Sequence, residues 1–558
     1  MKRILLIFSC LIAFTSTFAQ PSWTKKMSKA LFVLKTFSKD GQLLGSASGV
    51  FVGTDGMALS NFSPFKGASR AVVIDAAGKE YEVVCLMGAN ETYDVAKFKV
   101  GGVKKVQAAE MAQERLAVGA QAWLVPYKNV KQTRQGAVSK VETFNQQYAY
   151  YTVALPMTDL QAGAPLFNGE GQMVGVAMPP VTDTDSLCYV VSALFADSLK
   201  TTGLSLNDPV LRSTGIKKAL PADQSQALLA LFIGQSQLDA AAYTALIDDF
   251  IAQFPASQDG FVYRAQNHIR NRDYQSAEAD MAQALKVAQR KDEVHFSYSR
   301  LVVDAMANDS AVPPSWNLEK AFDEAQTATS VRDLGIYRQQ QAGILMAQKK
   351  YEEAYKCYEL LFDSTMLQPD VYFQAARCRQ LSGDTVAYLS MLDRCVEHFS
   401  KPYLREAAPY LLVRAQANLS ANNYRKAVSD LNEYEKLMAS QVNDNFYYVR
   451  FQAEMGGRLF QLALNDIDKA IAMNGQSDLY LSEKASLLVR VGYYDDAIET
   501  ARRCVELAPS QSDGYLFLGL AQCLKGQKAE GLKNLQRASE LGDPQAAGLI
   551  EQYSNVEN

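Results

Sequence analysis

The 558-residue sequence predicts a multidomain chain, with an all-β amino-terminal part followed by an all-α array of helix pairs. Three observations carry this. From Ser28 to about Leu204 the hydrophobic pattern changes every four to eight residues, as short strands require. After Pro221 the period switches to 3.6 residues and stays there to the end. A chain this long does not settle around one hydrophobic core.

Taken in order, residues 1–19 read as a secretory signal. Lys2-Arg3 precede the apolar run Ile4–Phe14, and Ser16-Thr17-Phe18-Ala19 places small residues where a signal peptidase reads them. The run is shorter than the ~20 residues that cross a bilayer. The expectation is cleavage after Ala19 and an exported mature chain, in the periplasm or cell envelope for a diderm source. A lipid anchor at Cys10 is the alternative, opposed by the short upstream stretch and the bulky Phe8. No later segment is apolar for long enough to span a membrane.

Residues 20–207 form the predicted β domain. Strands are expected at Ala30–Lys35, Ser48–Gly53, Met57–Ser60, Ala71–Ile74 and Glu80–Leu86. Six more are expected at Ala122–Pro126, Gly136–Val141, Tyr148–Leu155, Pro165–Phe167, Met173–Met178 and Ser186–Val191. Asp55-Gly56 and Asn168-Gly169-Glu170-Gly171 supply turns. Many short strands and few helices suit a barrel or a sandwich.

Three segments here resemble the secreted bacterial trypsin-like serine proteases, in the family's order. Gly45–Gly56 followed by Leu59-Ser60-Asn61-Phe62-Ser63 is similar to the strand, Asp-Gly turn and Thr-Asn-x-His that bear the catalytic base. Tyr93-Asp94-Val95-Ala96 is similar to the acid motif. Gln161-Ala162-Gly163-Ala164-Pro165-Leu166 is similar to the nucleophile motif. The resemblance implies two six-stranded barrels with a peptide cleft between them. It also implies a degenerate triad: the base falls on Ser63, the acid survives as Asp94 and the nucleophile position holds Ala162. Leu160 stands where the family has an oxyanion-hole glycine, and Ala164 replaces another.

A methyl group cannot attack a carbonyl, and a hydroxyl does not take up a proton near neutral pH. No histidine precedes His268, so no shifted base rescues the site from within this domain. Asp94 alone serves equally well as a structural acceptor of backbone hydrogen bonds at a turn. Cys85 and Cys188 lack a histidine partner in the sequence and do not sit at the nucleophile position. The expectation is a pseudoprotease without catalytic residues.

Residues 208–221 are polar and weakly patterned, and read as a linker. Residues 222–558 then carry paired amphipathic segments with small residues about twelve apart: Ala265/Ala277, Ala342/Ala354, Ala375/Ala387, Ala415/Ala427, Ala485/Ala497 and Gly519/Gly531. Antiparallel helices approach closely only where small side chains face each other. The markers Ala342, Ala375, Ala415, Ala485 and Gly519 are spaced 33, 40, 70 and 34 residues apart. This series resembles the tetratricopeptide repeat, whose period is about 34. It implies about eight helix pairs in a superhelical solenoid that holds protein or peptide on its concave face. Tyr263, Tyr337, Tyr410, Tyr447, Tyr448 and Tyr480 are candidates for that face or for spacers between helices.

Composition narrows the partners. Residues 20–210 carry 18 Lys+Arg against 16 Asp+Glu, and residues 211–558 carry 36 against 44. Neither has the basic excess that a nucleic-acid backbone demands. Seven cysteines follow Cys10 without a CxxC, and the three histidines, His268, His295 and His398, lack paired ligand spacing. No metal or cofactor is expected. The leading functional reading is an exported scaffold for a protein or peptide. A weak, atypical peptidase and a structural subunit of an envelope assembly are the alternatives.

Overall fold

The computed structural model describes residues 20–128, 130–158, 161–180, 186–362 and 369–555. The signal-like segment with Cys10, and the oxyanion position Leu160, lie outside the described residues. The chain divides into two compact units between Gln289 and Arg290.

The first unit opens with α1 (Thr24–Met27) and continues into two closed six-stranded barrels. The first comprises β1 (Leu31–Phe37), β2 (Leu43–Phe51), β3 (Met57–Ser60), β4 (Arg70–Asp75), β5 (Glu80–Asn90) and β6 (Val95–Val100), paired in the order β1-β2-β3-β6-β5-β4. The second comprises β7 (Gln121–Leu124), β8 (Arg134–Phe144), β9 (Tyr148–Val153), β10 (Pro165–Phe167), β11 (Met173–Ala177) and β12 (Cys188–Ser192), paired in the order β10-β11-β12-β9-β8-β7. All pairings are antiparallel. β6 is the strand the sequence reading omits. It alternates as strands do, with Ala96, Phe98 and Val100 buried and Lys97 and Lys99 between them.

Strands that are apolar on both faces have two cores to fill. Phe32 and Leu34 of β1 enter the first barrel with Phe51, Phe65 and Phe98. Leu31, on the opposite face, joins Val50, Leu59 and Val95 against Phe167, Met173, Val176 and Val191 of the second barrel. Burying each such side chain is worth roughly 1.5–3 kcal/mol, so the shared layer binds the barrels into one body. Phe195 of α2 (Ala193–Ser198) closes that layer.

The stretch read as a linker is laid onto the first barrel. The Asp208 side chain caps α3 (Pro209–Arg212) by accepting from the Val210 N–H. Leu211 and Ile216 enter the barrel core. Leu86 N–H donates to the Lys217 carbonyl and Ala219 N–H to the Leu86 carbonyl, both at 2.8 Å. Two apolar residues in a polar stretch suffice to anchor it. α4 (Gln224–Gln237), α5 (Ala240–Gln253), α6 (Gln258–Arg270) and α7 (Tyr274–Val287) complete this unit as two helix pairs. A Lys217–Asp249 ion pair and a 3.0 Å bond from Gly203 N–H to Gln226 Oε1 tie them to the preceding segments. Secondary structure therefore changes class near Pro221, whereas the compact unit runs on to Gln289.

The second unit is a series of antiparallel pairs. They are α8 (Lys291–Asn308) with α9 (Leu318–Val331), α10 (Gly335–Ala347) with α11 (Tyr351–Glu359), α12 (Pro369–Leu381) with α13 (Thr385–Glu397), and α14 (Ala408–Ser420) with α15 (Tyr424–Met438). Then follow α16 (Asp444–Gly456) with α17 (Phe460–Met473), α18 (Asp478–Val491) with α19 (Tyr494–Leu507), α20 (Ser512–Leu524) with α21 (Lys528–Glu540), and a last helix, α22 (Ala546–Ser554). Among the described residues the two units hold nine pairs, one more than the eight expected. Ala342, Ala354, Ala415, Ala427, Ala485 and Ala497 are fully buried at their crossings. A Cβ on Gly519 would stand 2.7 Å from the Gly531 carbonyl, so that crossing needs glycine. Ala387 departs from the pattern and is only half-buried, because Tyr388, Met391 and Leu392 make the contact instead.

An arginine ladder runs through the pairs. Arg264, Arg414 and Arg450 each donate to an aspartate sixteen residues later in the partner helix: Asp280 (2.7 Å), Asp430 (2.7 Å) and Asp466 (3.0 Å). The other arm of each guanidinium reaches back to the preceding pair, at Asp248, Asp393 and Glu435.

Candidate functional site

The site is built where the two barrels meet. β3 ends at Ser60, whose hydroxyl donates to the Ser48 carbonyl (2.6 Å). Phe62 is fully buried in the first barrel, which swings the chain outward into a tight turn at Ser63. The Ser63 N–H and hydroxyl both donate to Asp94 Oδ1, each at 2.6 Å. Asp94 lies in the turn entering β6 with φ +44°, a conformation that costs a non-glycine residue on the order of 1 kcal/mol. Its carbonyl accepts from Asn61 Nδ2 (2.9 Å) and from Phe62 N–H (3.3 Å). Asp94 is only 8% exposed, and its Oδ2 and Asn61 Oδ1 are buried without a hydrogen-bond partner.

The Ala162 turn comes from the second barrel. Ser48 N–H donates to the Ala162 carbonyl and Gly163 N–H to the Ala177 carbonyl, both at 2.8 Å. Gly163 has φ +82°, and a Cβ there would stand 2.1 Å from the Ser48 carbonyl oxygen. Only glycine fits on both counts. Gln161 is tied to Thr158, its N–H donating to the Thr158 carbonyl (2.9 Å) and its Oε1 accepting from Thr158 N–H (3.1 Å). Asn61 Nδ2 also reaches the Ala177 carbonyl at 3.4 Å, so one amide bridges the Asp94 turn and β11.

Ser63 and Asp94 are thus in direct contact, and Ser48 and Asn61 tie that side of the junction to the Ala162 turn. Asn61 and Ser48 carry this joint, although the sequence reading gave neither a role. The signal was the Asn two residues before the base position. Chemically, Asp94 Oδ1 can accept a proton donor and Ser63 can donate one, but the Ser63 hydroxyl is not a base. Ala162 offers no nucleophile.

Other candidates fall elsewhere. All seven described cysteines are free thiols; burial pushes Cys378 and Cys504 to about 11 and Cys395 to about 12. His268 lies beside Asp273 and Asp280 (3.6 and 3.5 Å), His295 binds Glu324 (2.6 Å), and the His398 ring packs on Tyr372. Among the described residues no group of His, Cys, Asp and Glu is placed to hold a metal, and no helix is long and apolar enough to cross a membrane. Tyr337 and Tyr480 are buried spacers whose hydroxyls bind Asp292 and Asp444, while Tyr447 binds Glu435. Tyr263, Tyr410 and Tyr448 are half-buried.

Residues 47–176 match the trypsin-like peptidase domain family. That span contains Ser63, Asp94 and Ala162. The helical region is similar to small glutamine-rich tetratricopeptide repeat-containing protein 2 of Saccharomyces cerevisiae, 24% identical over 103 residues, which is 18% of this chain and 30% of that protein. It is likewise similar to the protein of the same name from Mycosarcoma maydis, 29% identical over 90 residues, covering 16% and 25%. The chain spans less than a third of the length of these curated relatives.

Proposed function

We propose that the protein is an exported protein- or peptide-binding scaffold whose trypsin-like domain does not cut. The observation that carries this is the Ser63 hydroxyl donating to Asp94 where a base is required. The methyl of Ala162 at the nucleophile position supports the same reading. Binding is supported by the paired-helix array and by its similarity to tetratricopeptide repeat proteins. Export is supported by the charged, then apolar, then small-residue order of residues 1–19. The barrel junction retains the shape of a joint between two bodies, and an extended peptide there would be held by strand pairing rather than attacked.

The test is hydrolysis of a broad peptide library together with an active-site-directed fluorophosphonate probe. Neither turnover nor labelling is expected. Ala162→Ser alone should stay about 10⁶-fold below an intact triad, because Ser63 leaves the new hydroxyl without a base. Ser63→His combined with Ala162→Ser should give weak activity at most. Labelling of the natural protein that disappears on changing one residue of this domain would overturn the reading.

A further inference from the structure

From α10 onward, each helix pair turns through one residue in the left-handed region: Lys349, Gly383, Asn422, Arg458, Gly492 and Gly526. Glycine is the natural occupant, since a side chain is strained there. At the α16–α17 turn two glycines are at hand, yet Gly457 keeps φ −77° and Arg458 takes φ +58°. The arginine is held in a conformation its neighbour could have adopted without strain.

Arg458 faces the adjacent α14–α15 turn across an open groove of about 390 Å³. Arg425, Lys426, Asn422, Tyr424 and Gly456 also line it, and no acidic residue does. Its wall is pre-set. The Tyr424 hydroxyl donates to Asn422 Oδ1 (2.6 Å), which leaves the Asn422 amide N–H₂ as a donor. A Cβ on Gly456 would stand 2.6 Å from the Tyr424 ring, so the ring lies flat only because that position is glycine. Arg425 Nε makes only a long bond among the described residues, to the Gly457 carbonyl at 3.4 Å.

The charge placement runs against local electrostatics. α11 and α19 open on acidic pairs, Glu352-Glu353 and Asp495-Asp496, which suit the positive end of a helix. α15 and α17 open with no acid and no side-chain cap, and α15 puts Arg425 and Lys426 in its first turn. Near two other turns a cation is neutralised: Arg379 pairs with Glu352 and Lys525 with Asp495. Three uncompensated cations therefore converge on a chain region whose overall balance is acidic, 36 Lys+Arg against 44 Asp+Glu over residues 211–558. A site that departs from local rules at this many points is the expected mark of a ligand.

We propose that this groove binds a phosphate-type oxyanion, gripped by the guanidinium groups of Arg425 and Arg458 and the ammonium of Lys426. Two guanidinium forks suit the paired oxygens of a phosphoryl group, and the lysine adds a point charge. The phosphoryl group could be free or carried on a lipid headgroup.

The test uses the full chain. Inorganic phosphate is titrated at constant ionic strength against chloride and followed by calorimetry. Vesicles of phosphatidylcholine with and without phosphatidic acid form the second arm. Saturable binding is expected in at least one arm, weakened at least tenfold by Arg458→Gly and by Arg425→Gln, and unchanged by Lys350→Gln at another turn. Arg458→Gly should at the same time hold or raise the melting temperature, because glycine relieves the left-handed strain. Phosphate binding assigns a free or general phosphoryl ligand, and binding to phosphatidic acid vesicles alone assigns a headgroup. Binding in neither arm, or binding indifferent to Arg458 and Arg425, overturns the proposal.

Discussion

Gly163 shows how one residue holds the junction. A methyl group there would collide with the Ser48 carbonyl at 2.1 Å and would also force an L side chain into φ +82°. Gly163→Ala should cost roughly 2–4 kcal/mol, read as a lower urea midpoint of the first unit. Glu454 is a second informative residue. It is 2% exposed, and its Oε2 has no hydrogen-bond partner. Burial first, and then the charges of Asp466 and Glu435, push its carboxyl up from 4.5 to about 8 against the pull of Arg450 and Lys469. The folded form therefore keeps a proton that the unfolded chain has lost between those values. Stability should fall as pH rises from about 4.5 to about 8 and level off above it. Glu454→Gln should flatten that slope, as measured by denaturant midpoints of the full chain across the window. Ser63 and Ala162 were legible in the sequence as candidate positions because each lies inside a short motif-like segment. The Asn61 bridge was not, since its second partner is Ala177, 116 residues away.

Among elements, the helix pairs depend on small residues buried at their crossings and on an arginine ladder that links successive pairs. Arg450 is 4% exposed at its side chain and contacts both Asp466 and Glu435. Arg450→Ala leaves the Asp466 and Glu435 carboxylates with only the half-exposed Lys469 between them, at 3.4 and 3.6 Å, and should cost roughly 3–5 kcal/mol. Arg450→Met with Asp466→Leu should cost less, because an apolar pair replaces the buried Arg450–Asp466 bridge and leaves the more exposed Glu435 to Lys469. Urea denaturation of the single and double variants separates the two outcomes. The small-residue rhythm was legible because its spacing, about twelve residues, spans only one turn. The ladder was present in the sequence as Arg and Asp sixteen apart, at 264/280, 414/430 and 450/466, but only packing distinguishes such a pair from two surface charges. β6 was missed for a related reason: its lysines interrupt an apolar run that the barrel interior accepts on one face.

At the scale of the molecule, the class of secondary structure and the limits of compactness do not coincide. A fragment of residues 20–207 ends before Leu211 and Ile216, whose burial completes the first barrel. It should melt lower than residues 20–221, and residues 20–289 should melt as the most cooperative of the three, as calorimetry would show. Partner affinity should lie mainly in the helical array. Its nine pairs offer room for an interface of ordinary size, of order 1,200–2,000 Å², whereas the barrel junction is one narrow joint. Residues 222–558 should then capture the partners of the full chain. Partners that instead follow residues 20–207 would place recognition at the barrel junction.

The sequence by itself determined the two fold classes, their order along the chain, and which side chains stand at positions 63, 94 and 162. Those follow from local periodicity and from which atoms a side chain carries, and neither depends on distant neighbours. Tertiary structure alone decided that residues 208–221 belong to the first barrel, that Asn61 joins the two barrels, and that Arg425, Lys426 and Arg458 meet at one groove. Each of these is a contact between residues far apart in sequence, where polarity predicts exposure and only the packed fold shows which groups are brought together.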